Sequence, residues 1–181
     1  MSRFVFNLVA FQVGWFSCVL GAANDFPLLG PIVVLLVVAA HLLMAARPGP
    51  ETLLIVVAGS LGVVFDSALV RSEWLTYANG TIMAGFAPYW IVAMWLSFAT
   101  TLNVALRWLR GRALIALMFG AIGGPLSYLA GARLGALEFV DQGAALTALG
   151  VGWALVIPLL IALSRYLDGI EGAKYEAHRH A

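Results

Sequence analysis

Charge is what this sequence has least of. Only 10% of its 181 residues are Asp, Glu, Lys or Arg, ten basic against nine acidic, where a soluble domain carries about 25%. That deficit excludes a soluble enzyme and a disordered chain, and a net charge of +1 leaves no basic footprint for nucleic acid. Cysteine is nearly missing: Cys18 stands alone, so no internal disulfide frames the fold. In their place, 62% of the residues are hydrophobic, gathered in long runs between short polar junctions. The class is an all-α integral membrane protein.

Crossing a hydrocarbon core of about 30 Å takes roughly 20 helical residues. Six segments meet that length, at about 4–23, 29–46, 52–70, 88–108, 113–132 and 145–164. They predict a six-transmembrane-helix bundle forming one domain over 1–164, with a polar tail over 165–181. Asn24-Asp25-Phe26-Pro27 and Arg47-Pro48-Gly49-Pro50-Glu51 interrupt the runs as tight reversals. The longer junction from Arg71 to Ala87 reads as an interfacial loop or short surface helix, since aromatics such as Trp74, Tyr77 and Phe86 collect at bilayer surfaces. Eight of the ten Lys and Arg fall on the side that holds both termini; only Arg71 and Arg133 fall on the other. Positive charge is retained in the cytoplasm. Both termini are therefore expected there, in a multi-pass protein of the inner membrane. Gly21-Ala22-Ala23 resembles a signal-peptide cleavage site, but the lone Arg3 and the interruptions at Asn7 and Gln12 argue that the first span is retained.

Small residues at helical spacing mark close helix contacts in lipid. Ala116, Gly120, Gly123, Ser127 and Gly131 share one face of the fifth span, with Pro125 nearly opposite. That ridge suits packing within the bundle, or contact with a protein partner or a second copy through Gly120, Gly123, Ser127 and Gly131. Cys18 lies on a similar stripe with Gly14 and Gly21 and reads as a packing residue. A three-plus-three inverted repeat would be carried only by matches such as Phe11-Gln12 and Trp15 with Trp95 and Phe98, which apolar runs give by chance.

Ionisable groups at membrane depth mark function or pairing. Asp66 is the one charged residue well inside a span. It reads either as an ion pair with Arg71 or Arg133, or as a proton or cation site in an outer cluster with Tyr128 and Arg133. A second set falls toward the cytoplasmic side: Asn7, His41 and Asn103, with Arg107 one turn below Asn103. These are interhelical glue, or the polar contacts of a head-group site to which Gln12 adds an amide and Trp15 and Trp95 add walls. Thr100 and Thr101 are expected to bond back to their own helix. No metal and no cofactor is expected, and His178 and His180 in the tail read as solvated. No hydrolase triad, phosphate loop or bis-histidine haem pattern is present, which points away from catalysis.

Three stretches carry a resemblance. They are Phe6-Asn7 with Phe11-Gln12-Val13-Gly14-Trp15-Phe16, then Tyr89-Trp90 with Trp95, Phe98-Ala99 and Thr101-Leu102-Asn103, and lastly Gly120-Ala121-Ile122-Gly123-Gly124-Pro125-Leu126-Ser127-Tyr128 through Gly135. Together they resemble a family of small bacterial inner-membrane proteins of unknown function. The resemblance implies a loose association with genes for fatty-acyl-chain modification, and so a lipid-related role. The sequence thus favours a protein that binds or moves a membrane lipid or other apolar small molecule. The alternatives are a proton- or cation-coupled transporter using Asp66, an accessory subunit of a membrane complex, and a lipid-modifying enzyme.

Overall fold

The computed structural model describes residues 2–170. Six α-helices make up most of it: α1 (Arg3–Ala23), α2 (Leu29–Met44), α3 (Pro48–Arg71), α4 (Tyr89–Ala99), α5 (Ala113–Arg133) and α6 (Gln142–Tyr166). Two three-residue strands, β1 (Leu75–Tyr77) and β2 (Leu137–Phe139), pair between α3 and α4 and between α5 and α6. Helices α1, α3, α5 and α6 are long and apolar enough to cross a membrane, while α2 and α4 are shorter apolar helices. Residues such as Leu35, Val64, Leu126 and Leu155 point outward and stay exposed. A bundle with an apolar outside as well as an apolar core is built for lipid. This is a membrane protein.

Two helix boundaries differ from the sequence reading. The Arg47–Glu51 stretch does not end a span; Pro48 opens α3 and Pro50 and Glu51 complete its first turn. A first turn has no intrahelical partners for its N–H groups, so proline is tolerated there. The expected fourth span over 88–108 stops at Ala99. Thr100 and Thr101 do turn their hydroxyls back, onto the carbonyls of Ser97 (2.7 Å) and Phe98 (2.6 Å). Asn7 then takes over two backbone groups, donating to the Thr100 carbonyl at 3.0 Å and accepting from the Ala105 N–H at 3.3 Å. The chain continues through largely buried turns to a 3₁₀ segment, Arg107–Leu109, in which Leu109 is buried and Trp108 exposed. Irregular backbone survives at membrane depth only where protein covers it.

Helix α4 sits at the centre, packed on α1, α2 and α3, with Trp90, Trp95 and Ala99 buried in the core. The α5–α6 pair adds a second layer that meets the first along α3.

The chain contains a repeat, and it is not the inverted one. Units α3-β1-α4 and α5-β2-α6 correspond. Arg71 and Arg133 end their helices, and the next turns use the same hydrogen bonds, Trp74 N–H to Leu69 and Ala136 N–H to Gly131. Glu73 and Gly135, each two residues past the arginine, both take positive φ, 57° and 86°. Such a left-handed residue closes a Schellman turn and turns the chain sharply into the strand. The strands pair antiparallel as Leu75 with Phe139, Thr76 with Glu138 and Tyr77 with Leu137. That register is what a local two-fold axis through the Thr76–Glu138 pair requires. A Cβ at Gly62 would meet the Trp95 indole and one at Gly124 the Trp153 indole. Those two tryptophans stack on each other, centroids 4.6 Å apart and 16° from parallel.

Candidate functional site

Polar side chains inside this bundle fall into two groups at different heights, with an apolar cavity beside one of them. The first group surrounds Asp66, which is fully buried in α3. Tyr77 and Tyr128 donate their hydroxyls to Oδ1 at 2.5 and 2.6 Å, and the Trp95 indole N–H donates to Oδ2 at 2.7 Å. Three donors thus satisfy a carboxyl group that forms no ion pair with any cation among the described residues. Arg71 donates instead to the Gly85 carbonyl at 3.1 Å and lies over the Phe86 ring. Arg133, at the end of α5, is exposed and makes no described bond to Asp66. The expected ion pair is absent because both arginines sit at the last turn, where they reach the surface.

Beside Tyr128 and Trp95 lies a cavity of about 380 Å³. Its walls come from the middle of α1, α4, α5 and α6, including Trp15, Phe98 and Trp153. Gln12, Phe16, Phe119 and Leu126 line it and are also exposed. Its mouth therefore lies on the flank of the bundle between α1 and α5, at mid-helix. Trp15 and Ser127 bridge these two helices, the indole N–H donating to Oγ at 3.1 Å. Among the described residues, no Asp, Glu, Lys or Arg lines the cavity. Volumes of about 300–1,000 Å³ are usual for small-molecule pockets.

The ridge of small residues on α5 has two uses here. Gly120 and Gly124 face α6, where a Cβ would collide with Trp153. Gly123 lines the cavity, with open space where its Cβ would be.

The second group lies at the opposite end from the strands. Glu51, fully buried, accepts from Asn103 Nδ2 at 2.6 Å and the Gly169 N–H at 2.7 Å, and bonds His41 Nε2 at 2.8 Å. Asn103 also donates to the Leu167 carbonyl at 3.1 Å and accepts from Arg110. Arg110 bonds Asp168 at 2.8 Å, and Arg107 pairs with the same oxygen. Partial burial of Asp168 works against its charge. The Arg110 hydrogen bond, the Ile170 N–H and the two nearby guanidinium charges outweigh it and hold the carboxyl below its ordinary range. This network ties the start of α3, the turns after α4 and the end of α6 together.

The seven residues expected in one ligand site are therefore divided. Gln12, Trp15 and Trp95 line the cavity, with Trp95 bonded to Asp66, while His41, Asn103 and Arg107 belong to the distant network. Asn7 is spent on backbone groups beside that network. Sequence reasoning missed Glu51 and Arg110, which looked like turn residues, Asp168, which fell in the polar tail, and Tyr77 and Trp153. An acidic residue at the start of an apolar run, ten positions after a histidine, was the available signal for Glu51. Cys18 packs against Gly30, as a small buried residue. Among the described residues no three His, Cys, Asp or Glu side chains are placed to share a metal ion. His178 and His180 lie outside the described residues.

Residues 4–159 match a protein family described as protein of unknown function (DUF2878). No curated protein and no solved structure matches the chain.

Proposed function

We propose that this chain, which belongs to that family of unknown function, takes an apolar lipid chain from the bilayer into its side cavity, to hold or to move it. The observation that carries this is the cavity itself, about 380 Å³, walled by aromatic rings and opening between α1 and α5 at mid-helix. An aqueous ligand has no route to such a mouth, whereas a lipid chain lies beside it. The setting we propose is an inner membrane crossed six times with both termini in the cytoplasm. It is supported by the eight-to-two division of Lys and Arg and by the placement of both strands at one end. Helix α4, about 16 Å long at 1.5 Å per residue, completes its crossing through the buried turns beyond Ala99.

Native mass spectrometry of the full chain released from mild detergent tests the reading. Wild type is expected to carry a lipid adduct, and Gly123→Phe, which fills the cavity from a position with open space, is expected to lose it at an unchanged melting temperature. A wild type without adduct, or an adduct that survives in Gly123→Phe, overturns it.

Coupled transport is favoured by one observation of its own: Tyr128 lines the cavity and bonds Asp66, which places a carboxyl group one hydroxyl away from any occupant. A pH-dependent flux lost in Asp66→Asn would support that role, and an unchanged flux would remove it.

A further inference from the structure

We infer that the occupant is an uncharged lipid with an acceptor oxygen, hydroxyl or carbonyl, buried near the middle of the membrane; this rests on the cavity reading above. The described lining supplies no counter-charge. A phosphate or ammonium group drawn inside would be desolvated with nothing to pair it, which is prohibitive at membrane depth. A hydrocarbon alone is a poor match too, because two polar groups at the cavity keep hydrogen-bonding capacity that the described residues do not use. Ser127 Oγ accepts from the Trp15 indole, and none of the described residues accepts its hydroxyl proton. That proton is left to donate. Gln12 lines the same cavity from one turn before Trp15, and its amide has no hydrogen bond among the described residues.

Depth sharpens the choice. Gln12 lies about 14 Å along α1 at 1.5 Å per residue, near the midpoint of that 21-residue helix. A phospholipid anchored by its head group would keep its ester oxygens at the interface and offer only methylenes to Ser127 and Gln12. An amphiphile small enough to sink whole into the flank brings an oxygen to that height, where Ser127 donates to it. Gln12 then donates to a carbonyl or accepts from a hydroxyl. The aromatic walls, Trp15, Trp95, Phe98 and Trp153, take the apolar remainder.

The experiment presents four probes to the full chain, stripped of lipid, in native mass spectrometry: oleyl alcohol, methyl oleate, octadecene and dioleoylphosphatidylglycerol. One or both oxygenated probes should bind about threefold to tenfold more tightly than octadecene, the worth of one neutral hydrogen bond, and the phospholipid more weakly than either. Which of the two leads identifies hydroxyl or carbonyl. Ser127→Ala should drop that preference to the octadecene level, and Ser127→Thr, which keeps the hydroxyl, should restore it. Octadecene binding as well as both oxygenated probes, or a preference for the phospholipid, overturns the inference and leaves the cavity reading standing. Failure of all four to bind folded wild type overturns the cavity reading itself.

Discussion

Tyr128 donates a hydrogen bond of 2.6 Å to Asp66, the residue that holds its own place in the other repeat, 62 positions earlier. Residues near a two-fold axis meet their counterparts, so one position of the repeat appears here twice, once as acid and once as donor. The pair joins α3 to α5, two helices whose main partners differ, α4 for the first and α6 for the second.

Because the pair straddles the axis, its members are interchangeable in kind. Asp66→Tyr and Tyr128→Asp should each destabilise strongly, by crowding two phenols or burying two carboxyls. The double exchange should recover part of the loss. Recovery stays incomplete, since Phe139 stands where Tyr77 stands and has no hydroxyl to offer. Thermal melts of the three variants in detergent, without recovery in the double exchange, would remove the repeat as an energetic unit.

Removing the Tyr128 hydroxyl alone should be mild. Tyr128→Phe deletes one of three donors, about 1 kcal/mol by the measured worth of interhelical hydrogen bonds. Asp66→Leu should cost more, because it orphans three buried donors at roughly 1–3 kcal/mol each. Denaturation in mixed detergent with sodium dodecyl sulfate ranks the two.

Gly123 and Gly124 are adjacent and should answer alanine with opposite signs. At Gly124 the new Cβ meets the Trp153 ring, and overpacking of that kind costs about 1–3 kcal/mol. At Gly123 the space is open, and the gain in helix propensity is up to about 1 kcal/mol. Melting temperatures that shift in the same direction would contradict the division of the α5 ridge.

Glu51→Ala should be among the most damaging single changes. It leaves His41, Asn103 and the Gly169 N–H without their acceptor, each at about 1–3 kcal/mol if no water replaces it. Glu51→Gln keeps one acceptor and should fall between. Limited proteolysis at the end of α6 reads the effect directly, because Gly169 then keeps only the bond from the Arg47 N–H to its carbonyl.

Acid should loosen the same end. Asp168 has a folded-state pKa below its ordinary value, near 3.9 when unfolded. A depressed pKa means its pairing stabilises the fold above that unfolded value, and the contribution is lost as pH falls through the folded one. Unfolding midpoints measured downward from pH 5 should decline in wild type and decline less in Asp168→Asn. Equal slopes would count against the pairing with Arg107 and Arg110.

The apolar helices were legible because hydrophobic length is a property of one helix at a time. Starts and stops at α1, α5 and α6 fall within a few residues of expectation. Helix α4 was misjudged because Thr100 and Ala105 are claimed by Asn7, 93 and 98 positions away. Of the outer group expected from depth, Tyr128 bonds Asp66 while Arg133 lies exposed at the end of α5, and Tyr77 came only with the strand that turns it inward. Glu51 looked like part of a breaker, and only tertiary contact makes it a hub. The repeat was hidden for a related reason: what the two units share is a turn geometry and a glycine–tryptophan contact, and neither leaves a long run of matching letters.

The β1–β2 pairing closes one end of the bundle and the Glu51–Arg110–Asp168 network closes the other. On the proposed lipid reading, a space open on its flank between α1 and α5 exchanges its contents with the bilayer and not with water. Its occupancy would then follow the mole fraction of the lipid in the surrounding leaflet. Diluting the protein in buffer would leave it filled, while diluting the same membrane with unrelated lipid would empty it.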